Sequence, residues 1–550
     1  MTAPYQQIVT DLRQAFPQPV SDRVHDAYFV FSFLRALDQV DSMKSVQPLL
    51  GKPIPLDYDG ARASRIDENP KSLEQVTARL VEYLSGMLIW GHPRTQVNVV
   101  PSPTIPSIIG GLLPSIYNPN LVSEESCQRV GLAEIEVSAA TAELVGYDPQ
   151  TSAGVFTFGG TGTTLYGAKV GLEKACPGAM QHGIHEPVHL VCSERAHYAG
   201  RTVAGWLGLG FDSVVEVAAD RDNEMRTCLL ETQCRELLQQ GHKIAAIIAT
   251  MGTTDAFGVD DLEEICAVRD RLVTEFSLDY IPHIHADAVI GWAWSVFNDY
   301  DFSGNPLGFR GRTLRALART RRRIQHLKLA DSIGIDFHKT GFTPYVSSLF
   351  LARDKTELTR LARRPEAMPY LFKSGVYHPG QYTLETSRAG SGPMAALANL
   401  SLFGKNGLRS LLGHLVAMAE ALREQLEAHS ATHVLNSGNF GPVTLFRVYP
   451  DGVDTFSFPE REQTDPACRD KVREYNAYNR RIFEAVQAEA LQGRGVAISL
   501  TDCYRETDYG EPVAALKSYI MSPFSEEQFV QYVLDSIWKA RAEISATTAN

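Results

Sequence analysis

The chain has 550 residues, 44% of them hydrophobic and 21% charged, and a formal net charge of −12 at pH 7. This length predicts about two or three domains, and the composition is typical of a globular protein. The negative charge argues against a general nucleic-acid binder, because such a protein needs a basic face.

The cysteines and the N-terminus indicate the cellular compartment. The eight cysteines are scattered and form no Cys-x-x-Cys pair. This favours reduced thiols in a cytosolic protein over a disulfide framework or a structural zinc site. No signal peptide is visible at the N-terminus, and no apolar run reaches about 18 residues. We therefore expect a cytoplasmic protein without a membrane span.

Residues 1–130 are predicted to form an N-terminal helical segment. Apolar residues recur at helical spacing in 27–34 and again in 80–84. The proline-rich stretch 101–106 that follows is predicted to be largely non-helical, since proline disrupts helices and restricts the residue before it.

Residues 131–400 are predicted to form a large α/β domain. Short apolar runs alternate there with helical patterns, and the runs at 188–192 and 244–249 and the one ending at Asp287 are typical of buried strands. Such alternation predicts a mainly parallel sheet that is covered by helices on both faces.

Residues 401–550 are predicted to form a smaller C-terminal α+β domain. A long helical stretch, Leu411–His429, leads into the strand-like Pro442–Val448. Near the end, Ser525 and Gln528 have the spacing of a capping box, which predicts the start of a final amphipathic helix.

The first candidate site segment is a glycine-rich turn, Gly159-Gly160-Thr161-Gly162, between a predicted strand and a helix. Glycines let backbone N–H groups approach an oxyanion, hydroxyls add donors, and the helix N-terminus adds partial positive charge. This segment is equally compatible with two interpretations, an anion-binding turn and a tight strand-to-helix turn that binds no ligand.

The second and third segments follow two other predicted strands. His197 lies where ligands bind in open α/β sheets, and its ring would stack on an aromatic cofactor, although a lone histidine is more often an ordinary residue. Asp287 ends an apolar strand, so its burial requires a cationic partner such as a pyridinium nitrogen. His283 and His285 offer a metal pair, but we expect no metal because the one adjacent acid is predicted to face the other way.

The fourth segment is His338-Lys339, after an apolar strand-like run and before Thr340-Gly341. A lysine forms a Schiff base only when it loses its proton, and we expect confinement to lower the pKa of Lys339 enough for this. Alone the pair is weak evidence, because most lysines are solvated surface charges.

In this order the segments resemble the group II pyridoxal-phosphate-dependent amino acid decarboxylases, which have the aspartate-aminotransferase fold (type I). The resemblance runs from about His92 to Arg409. It implies pyridoxal 5'-phosphate as cofactor and the type I fold. The site residues that it implies are Gly160 and Thr161 for the phosphate, His197 stacked on the ring, Asp287 at the pyridinium nitrogen, Lys339 as the Schiff-base lysine, His338 helping to bind the phosphate, and Thr254 near the ring.

The resemblance also implies residues that act on the substrate. Met368–Lys373 is similar to the family's mobile loop, so Tyr370 is the candidate proton donor, with surface aromatic packing as the alternative. Arg388 resembles an arginine near the substrate, with an exposed salt bridge as the alternative. Ser102 lies in an N-terminal segment that we expect to form part of the substrate pocket.

We therefore expect an enzyme that converts an L-amino acid to its amine and CO₂. Acidic substrates are slightly preferred because Arg388 would pair with a side-chain carboxylate, and aromatic ones come next. Thr340 and Val289 depart from the usual family pattern, and the segment from Lys339 onward is closer to sphingosine-phosphate lyases and bacterial glutamate decarboxylases. The alternatives are a carbon–carbon lyase of that type and a non-catalytic relative. The resemblance further implies a homodimer with active sites at the interface.

Overall fold

The structure is a computed structural model that describes residues 4–364, 366, 368–369 and 371–548. Its N-terminal part is mainly helical, with one small antiparallel strand pair. The elements in chain order are α1 (Pro4–Leu12), α2 (Arg23–Ser42), β1 (Leu49–Leu50), α3 (Tyr58–Arg62), α4 (Leu73–Glu82), β2 (Met87–Leu88), α5 (Ile105–Tyr117), α6 (Glu124–Cys127) and α7 (Val130–Val145).

Local sequence explains where several of these helices begin. Ser72 and Gln75 form a capping box before α4, and the Thr104 hydroxyl accepts the Ser107 N–H at the start of α5. Helix α5 can start inside the proline-rich stretch because Pro106 lies in its first turn. N–H groups in the first turn of a helix have no partner within the helix, so the missing N–H of proline costs no helical hydrogen bond there.

The central part alternates strands with helices. Its elements are β3 (Ala153–Thr157), α8 (Gly160–Ala175), α9 (Ala179–His182), β4 (Val188–Ser193), α10 (Ala199–Trp206), β5 (Val214–Val217), α11 (Thr227–Gln239), β6 (Lys243–Thr250), α12 (Leu262–Glu275), β7 (His283–Asp287), α13 (Gly311–Ile324), β8 (Ser332–Asp336), β9 (Ser348–Ala352) and α14 (Thr356–Thr359). The strands form one seven-stranded sheet in the order β3-β9-β8-β7-β6-β4-β5.

Four neighbouring pairs of this sheet, from β5 to β8, are parallel, whereas β9 is antiparallel to both of its neighbours. Strand β9 reverses direction because the short segment after β8 leaves no room for a helical crossover. Leu190 and Ala246 pack against α8 and α10, and Ile247 and Ile284 face the larger core on the opposite side. The predicted α/β fold class, a mainly parallel sheet covered by helices, is confirmed.

The C-terminal part is built around a four-stranded antiparallel sheet in the order β10-β11-β13-β12. Its elements are α15 (Ser391–Glu427), interrupted at Gly404, then β10 (Thr432–Val434), β11 (Val443–Val448), α16 (Phe458–Thr464), α17 (Arg469–Leu491), β12 (Ser499–Glu506), β13 (Pro512–Tyr519) and α18 (Glu527–Thr548). Helix α15 continues across residues 400 and 401, where one of the two domain limits is predicted. Both domain limits remain predictions.

Short 3-10 helices complete the described chain at Arg13–Ala15, Phe211–Ser213, Gly291–Phe297, Gln325–Leu329, Pro379–Gln381 and Pro466–Cys468. Within the described ranges, no helix has both the length and the apolar character needed to cross a bilayer.

Candidate active site

The parallel strands bring the predicted site segments to one edge of the sheet. Asp287 is the last residue of β7 and lies opposite Gly334 of β8. Asp336 ends β8, three residues before Lys339. His197 lies in the link from β4 to α10, at the same carboxyl edge. This is the edge at which open α/β sheets bind their ligands.

The glycine-rich turn leads directly into α8. Gly159 has φ +115°, a conformation that side chains disfavour, and helix α8 begins at Gly160. A Cβ at Gly160 would lie 3.0 Å from Asp336 Oδ2 and 3.0 Å from Val289 Cγ1. The first N–H groups of a helix have no partners within it, so this turn offers donors in a space that only glycine leaves open.

Asp287 is a buried carboxylate with little to stabilise its charge. It is 7% exposed, and Val289 N–H donates a long hydrogen bond to Oδ1 at 3.4 Å. Burial raises the pKa of Asp287 to about 6, although Lys339 opposes this shift. A cationic N–H donor placed beside it would remove most of that penalty.

Lys339 does not have the lowered pKa expected from its confinement. Its Nζ lies 3.0 Å from Asp336 Oδ2, and the lysine side chain is 18% exposed. Burial lowers the pKa of Lys339, but the carboxylates of Asp336 and Asp287 outweigh burial, and the net pKa is raised. The expectation was wrong because Asp336, whose role sequence reasoning missed, supplies a counter-ion; its Asp-x-x-Lys spacing was the available signal.

His197 is held as a neutral ring. Its Nδ1 accepts the Ala199 N–H at 3.1 Å, and its ring packs on Tyr198 at 4.0 Å between centroids. Burial lowers the pKa of His197, and the Lys339 charge lowers it further. A neutral, oriented imidazole suits stacking on an aromatic group better than it suits a general acid.

His338 and the turn Gly252-Thr253-Thr254 border the same edge. His338 Nε2 lies 3.5 Å from Asp336 Oδ2, Nδ1 faces the backbone of Ser347, and burial lowers the pKa of the ring. The Gly258 N–H donates a hydrogen bond of 2.8 Å to the Thr253 hydroxyl. Thr254 lies beside His197 in a cavity on this side of the sheet.

The buried histidines of β7 form a hydrogen-bonded row. His283 Nε2 and His285 Nδ1 both contact Ser332 Oγ, at 2.8 and 2.9 Å. Burial lowers the pKa of each to about 3. The prediction that the adjacent acid faces the other way was wrong, because alternate residues of a strand point to one face and Asp287 shares that face with both histidines.

Arg388 is not available to a substrate carboxylate in the way expected from the sequence. Its terminal nitrogens bind both oxygens of Glu134, at 2.5 and 3.0 Å, and the carbonyls of Phe156 and Leu121. The arginine and glutamate side chains are 4% and 0% exposed. Arg388 therefore forms a buried bidentate ion pair that joins its loop to α7, rather than an exposed salt bridge.

Ser102 and Tyr370 are the two remaining predicted site residues. Ser102 is half-buried and packs near Gly91, two residues before the Thr104 N–H that bonds to the Phe342 carbonyl at 3.1 Å. Its segment thus reaches the turn after Lys339. Tyr370 lies outside the described residues.

A cavity of about 580 Å³ opens beside His197. Asn98, from the N-terminal segment expected to form part of the substrate pocket, contributes to its wall. Much of the wall is polar or charged, through Asn98, Glu194, Arg195, Arg201, Glu216, Thr254 and Asp255. The charges are paired: Arg195 lies 3.2 Å from Glu194, Arg201 lies 3.6 Å from Glu216, and Lys517 lies 2.7 Å from Asp255.

These residues fit pyridoxal phosphate. Asp287 is a buried carboxylate that lacks a close cation and suits a protonated ring nitrogen. Gly160 begins helix α8, and the first N–H groups of that helix suit a phosphate group. Lys339 provides a primary amine at the same edge.

Comparison with known proteins agrees with this fit. Residues 58–305 match the pyridoxal-dependent decarboxylase conserved domain, a range that includes Gly160, His197 and Asp287 and ends before Lys339. L-2,4-Diaminobutyrate decarboxylase of Acinetobacter baumannii is 26% identical over 398 residues, which cover 69% of this chain and 72% of the relative. The protein of that name from Rhizobium meliloti (strain 1021) is 26% identical over 376 residues, covering 66% and 68%.

Solved structures show the same fold. Mouse CSAD in its apo form has a TM-score of 0.75 at 18% identity, covering 94% of this chain and 99% of the mouse chain. The glutamate decarboxylase domain of the Vibrio parahaemolyticus diaminobutyrate-pyruvate transaminase and L-2,4-diaminobutyrate decarboxylase has a TM-score of 0.72 at 17% identity, covering 98% and 100%.

Proposed function

Since this chain belongs to the pyridoxal-dependent decarboxylase family and is a pyridoxal-phosphate enzyme that converts an amino acid to its amine and CO₂, we propose which residues do this work and which amino acid it takes. The observation that carries the assignment of residues is the pairing, at one sheet edge, of a buried carboxylate with little stabilisation, Asp287, and a buried lysine, Lys339.

Each residue has a distinct role in this proposal. Lys339 holds the cofactor covalently, Gly160 and Thr161 hold its phosphate with help from His338, and Thr254 borders its ring. When bound, the cofactor supplies an electron sink for the bond that breaks at Cα. Asp287 keeps a proton on the ring nitrogen, and the neutral ring of His197 covers the ring and fixes its orientation. Tyr370 donates the proton that Cα takes up after CO₂ leaves.

The assignment of Lys339 is tested by reduction and substitution. Borohydride reduction of the holoenzyme followed by peptide mass mapping should place the cofactor on Lys339. Lys339→Ala should lose both the visible absorbance of bound cofactor and turnover. Lys174→Ala, which removes a lysine 3.3 Å from Glu357 elsewhere in the fold, should keep both. Mapping of the cofactor to another lysine would contradict the assignment.

For the substrate, we propose an L-amino acid with a charged, polar side chain, and L-2,4-diaminobutyrate first among them. The cavity beside His197 is lined by the carboxylates of Glu194, Glu216 and Asp255 and by the guanidinium groups of Arg195 and Arg201, and Lys517 pairs with Asp255. Such a charged wall favours a charged, polar side chain over an aromatic one. The acidic substrates expected from Arg388 lose their basis, because Glu134 occupies that arginine. Two relatives named for diaminobutyrate support this order.

A panel of amino acids tests the substrate. CO₂ release and amine formation should be fastest with L-2,4-diaminobutyrate, slower with aspartate and glutamate, and slowest with tyrosine and tryptophan. Asp255→Asn should raise KM for the diamino acid more than KM for aspartate. Fastest turnover of an aromatic acid would contradict the proposal. Release of an aldehyde without CO₂ would instead support the carbon–carbon lyase.

We also propose that the enzyme is a cytoplasmic homodimer whose active sites lie at the subunit interface. Apolar side chains are exposed along α2, at Phe31, Leu34 and Leu37, and along α5, at Ile109 and Leu113. Contiguous exposed apolar surface of this kind marks interaction sites. Helix α5 starts beside the turn after Lys339, so a partner on α5 would lie near the site. The eight cysteines, all free in the described chain, suit a reducing compartment.

Sedimentation velocity tests the dimer. The wild-type enzyme should sediment as a dimer, and Ile109→Glu combined with Leu113→Glu should give monomers with little activity. The matched control is Leu491→Glu, an exposed apolar residue at the end of α17, which should stay dimeric and active. A fully active wild-type monomer would contradict the interface proposal.

A further inference from the structure

The carboxylate of Asp336 contacts three side chains at the candidate site, and none of the roles proposed above involves it. It ends β8 and is 1% exposed. The Ser348 hydroxyl donates to Oδ1 at 2.6 Å, and Lys339 Nζ lies 3.0 Å from Oδ2. His338 Nε2 lies 3.5 Å from the same Oδ2. The carboxylate is therefore fixed by Ser348 on one side and faces Lys339 on the other.

We propose that Asp336 is the positioning residue that holds Lys339 as an ammonium ion in the cofactor-free enzyme, and that it thereby sets the pH dependence of cofactor capture. The proposal rests on the assignment of Lys339 as the lysine that carries the cofactor. It adds the counter-ion of that lysine and what the counter-ion does before the cofactor arrives.

The charges around Lys339 support this role. Burial lowers the pKa of the lysine, and five other groups face it: Asp336 at the end of β8, Asp287 at the end of β7, the adjacent His338, Tyr345 between β8 and β9, and His197 before α10. The carboxylates raise the pKa, with Asp336 as the largest favourable contribution and the only one within ion-pair distance. Burial lowers the pKa of both His197 and His338, which favours neutral rings, so the lysine is balanced mainly by Asp336.

The consequence follows from amine chemistry. A free amine adds to an aldehyde with loss of one water, whereas an ammonium ion has no electron pair to donate. Lys339 must therefore release its proton to solvent before it reacts with the cofactor aldehyde. A buried ion pair with Asp336 makes that release harder, because the carboxylate would be left without its cation. Capture should then be slow at neutral pH and speed up as the pH rises.

Competitive labelling of the full-length, cofactor-stripped enzyme tests the ion pair directly. Acetic anhydride is applied at a series of pH values, and acetylation of the Lys339 peptide is measured by mass spectrometry. In the wild type, the midpoint should lie above about 10.4, the value of an ordinary lysine. In Asp336→Asn it should fall by about one pH unit or more, so that labelling below the midpoint is about tenfold faster.

The visible absorbance of bound cofactor, which develops after pyridoxal phosphate is added, should appear faster in Asp336→Asn than in the wild type at neutral pH. The pH midpoint of this rate should also be lower in Asp336→Asn. Ser348→Ala is the matched control: it removes the hydroxyl that fixes Asp336 and keeps the charge, so its midpoint should stay within about 0.3 units of wild type.

Three results decide the outcome. A folded Asp336→Asn variant with an unchanged midpoint would overturn the proposal. So would a wild-type midpoint at or below the ordinary lysine value, which decides the question even where the variant does not fold. If borohydride mapping places the cofactor on another lysine while the labelling shift persists, the assignment of Lys339 fails and the ion pair stands, so the two failures are distinguishable.

Discussion

Replacing Asp287 with asparagine should stabilise the cofactor-free protein while it abolishes activity. Burial raises the pKa of Asp287 to about 6 from an ordinary value of 3.8, so the folded protein carries an unfavourable buried charge at neutral pH. A shift of about two units corresponds to about 3 kcal/mol, since one unit is worth about 1.4 kcal/mol. Asparagine keeps the shape of the side chain and carries no charge.

The sign of the pH dependence follows from the raised pKa. Stability from protonated Asp287 is fully present below about pH 4 and is lost as the pH rises toward 6, with no further change above about 7. Asp287→Asn should therefore exceed the wild type by about 3 kcal/mol at pH 8 and by about half of that at pH 5.

Urea unfolding of the stripped enzyme at both pH values measures this difference. The control is Asp255→Asn, which removes a carboxylate that already has a cation, Lys517 at 2.7 Å, and should give no gain. In the loaded enzyme, Asp287→Asn should lower kcat by at least about a hundredfold, the size typical of losing one electrostatic group in an active site. A cofactor-free variant less stable than wild type at pH 8 would show that the Asp287 charge does not destabilise the fold.

Three further changes test other parts of the site. Glu134→Ala leaves Arg388 buried without its partner and should lower the free energy of unfolding by about 3–5 kcal/mol; unchanged stability with a raised KM would instead give Arg388 a substrate role. Gly160→Ala places a Cβ 3.0 Å from Asp336 and should weaken cofactor binding about tenfold in a fluorescence titration; an unchanged Kd would remove this turn from the cofactor site. Burial lowers the pKa of His285 to about 3, so stability falls as the pH drops below about 6.5, and His285→Gln should reduce that slope by about 1.4 kcal/mol per pH unit; an unchanged slope would show that the ring is not held neutral.

Local sequence patterns, such as apolar runs and helical spacing, predicted several strands and helices correctly. The apolar runs at 188–192 and 244–249 became β4 and β6, because a strand buried on both faces is continuously apolar. Pro442–Val448 contains β11, and the final helix begins at Glu527, within the predicted capping sequence. The start of α5 inside the prolines was not predicted, since a proline in the first turn of a helix looks in sequence like one that ends it.

The sequence predicted which segments form the candidate site, but it did not predict the ion pairs and pKa shifts of their side chains. Residue type and position after a strand made His197, Asp287 and Lys339 candidates, and the structure brings them to one edge because parallel strands place their carboxyl ends there. The raised pKa of Lys339 was missed, as it depends on the distance to Asp336. The burial of Arg388 depends on Glu134, more than two hundred residues away in the chain.

Neighbouring residues and short periods were enough to predict the alternation of strands and helices along the chain, the glycine-rich turn before α8 and the chemical groups at the candidate site. The pairing of the charges became visible only in the folded chain. A pKa depends on burial and on charges within a few ångströms, and the chain brings such partners together from distant segments. That is why Arg388 is a structural ion pair and why Lys339 has Asp336 as its counter-ion.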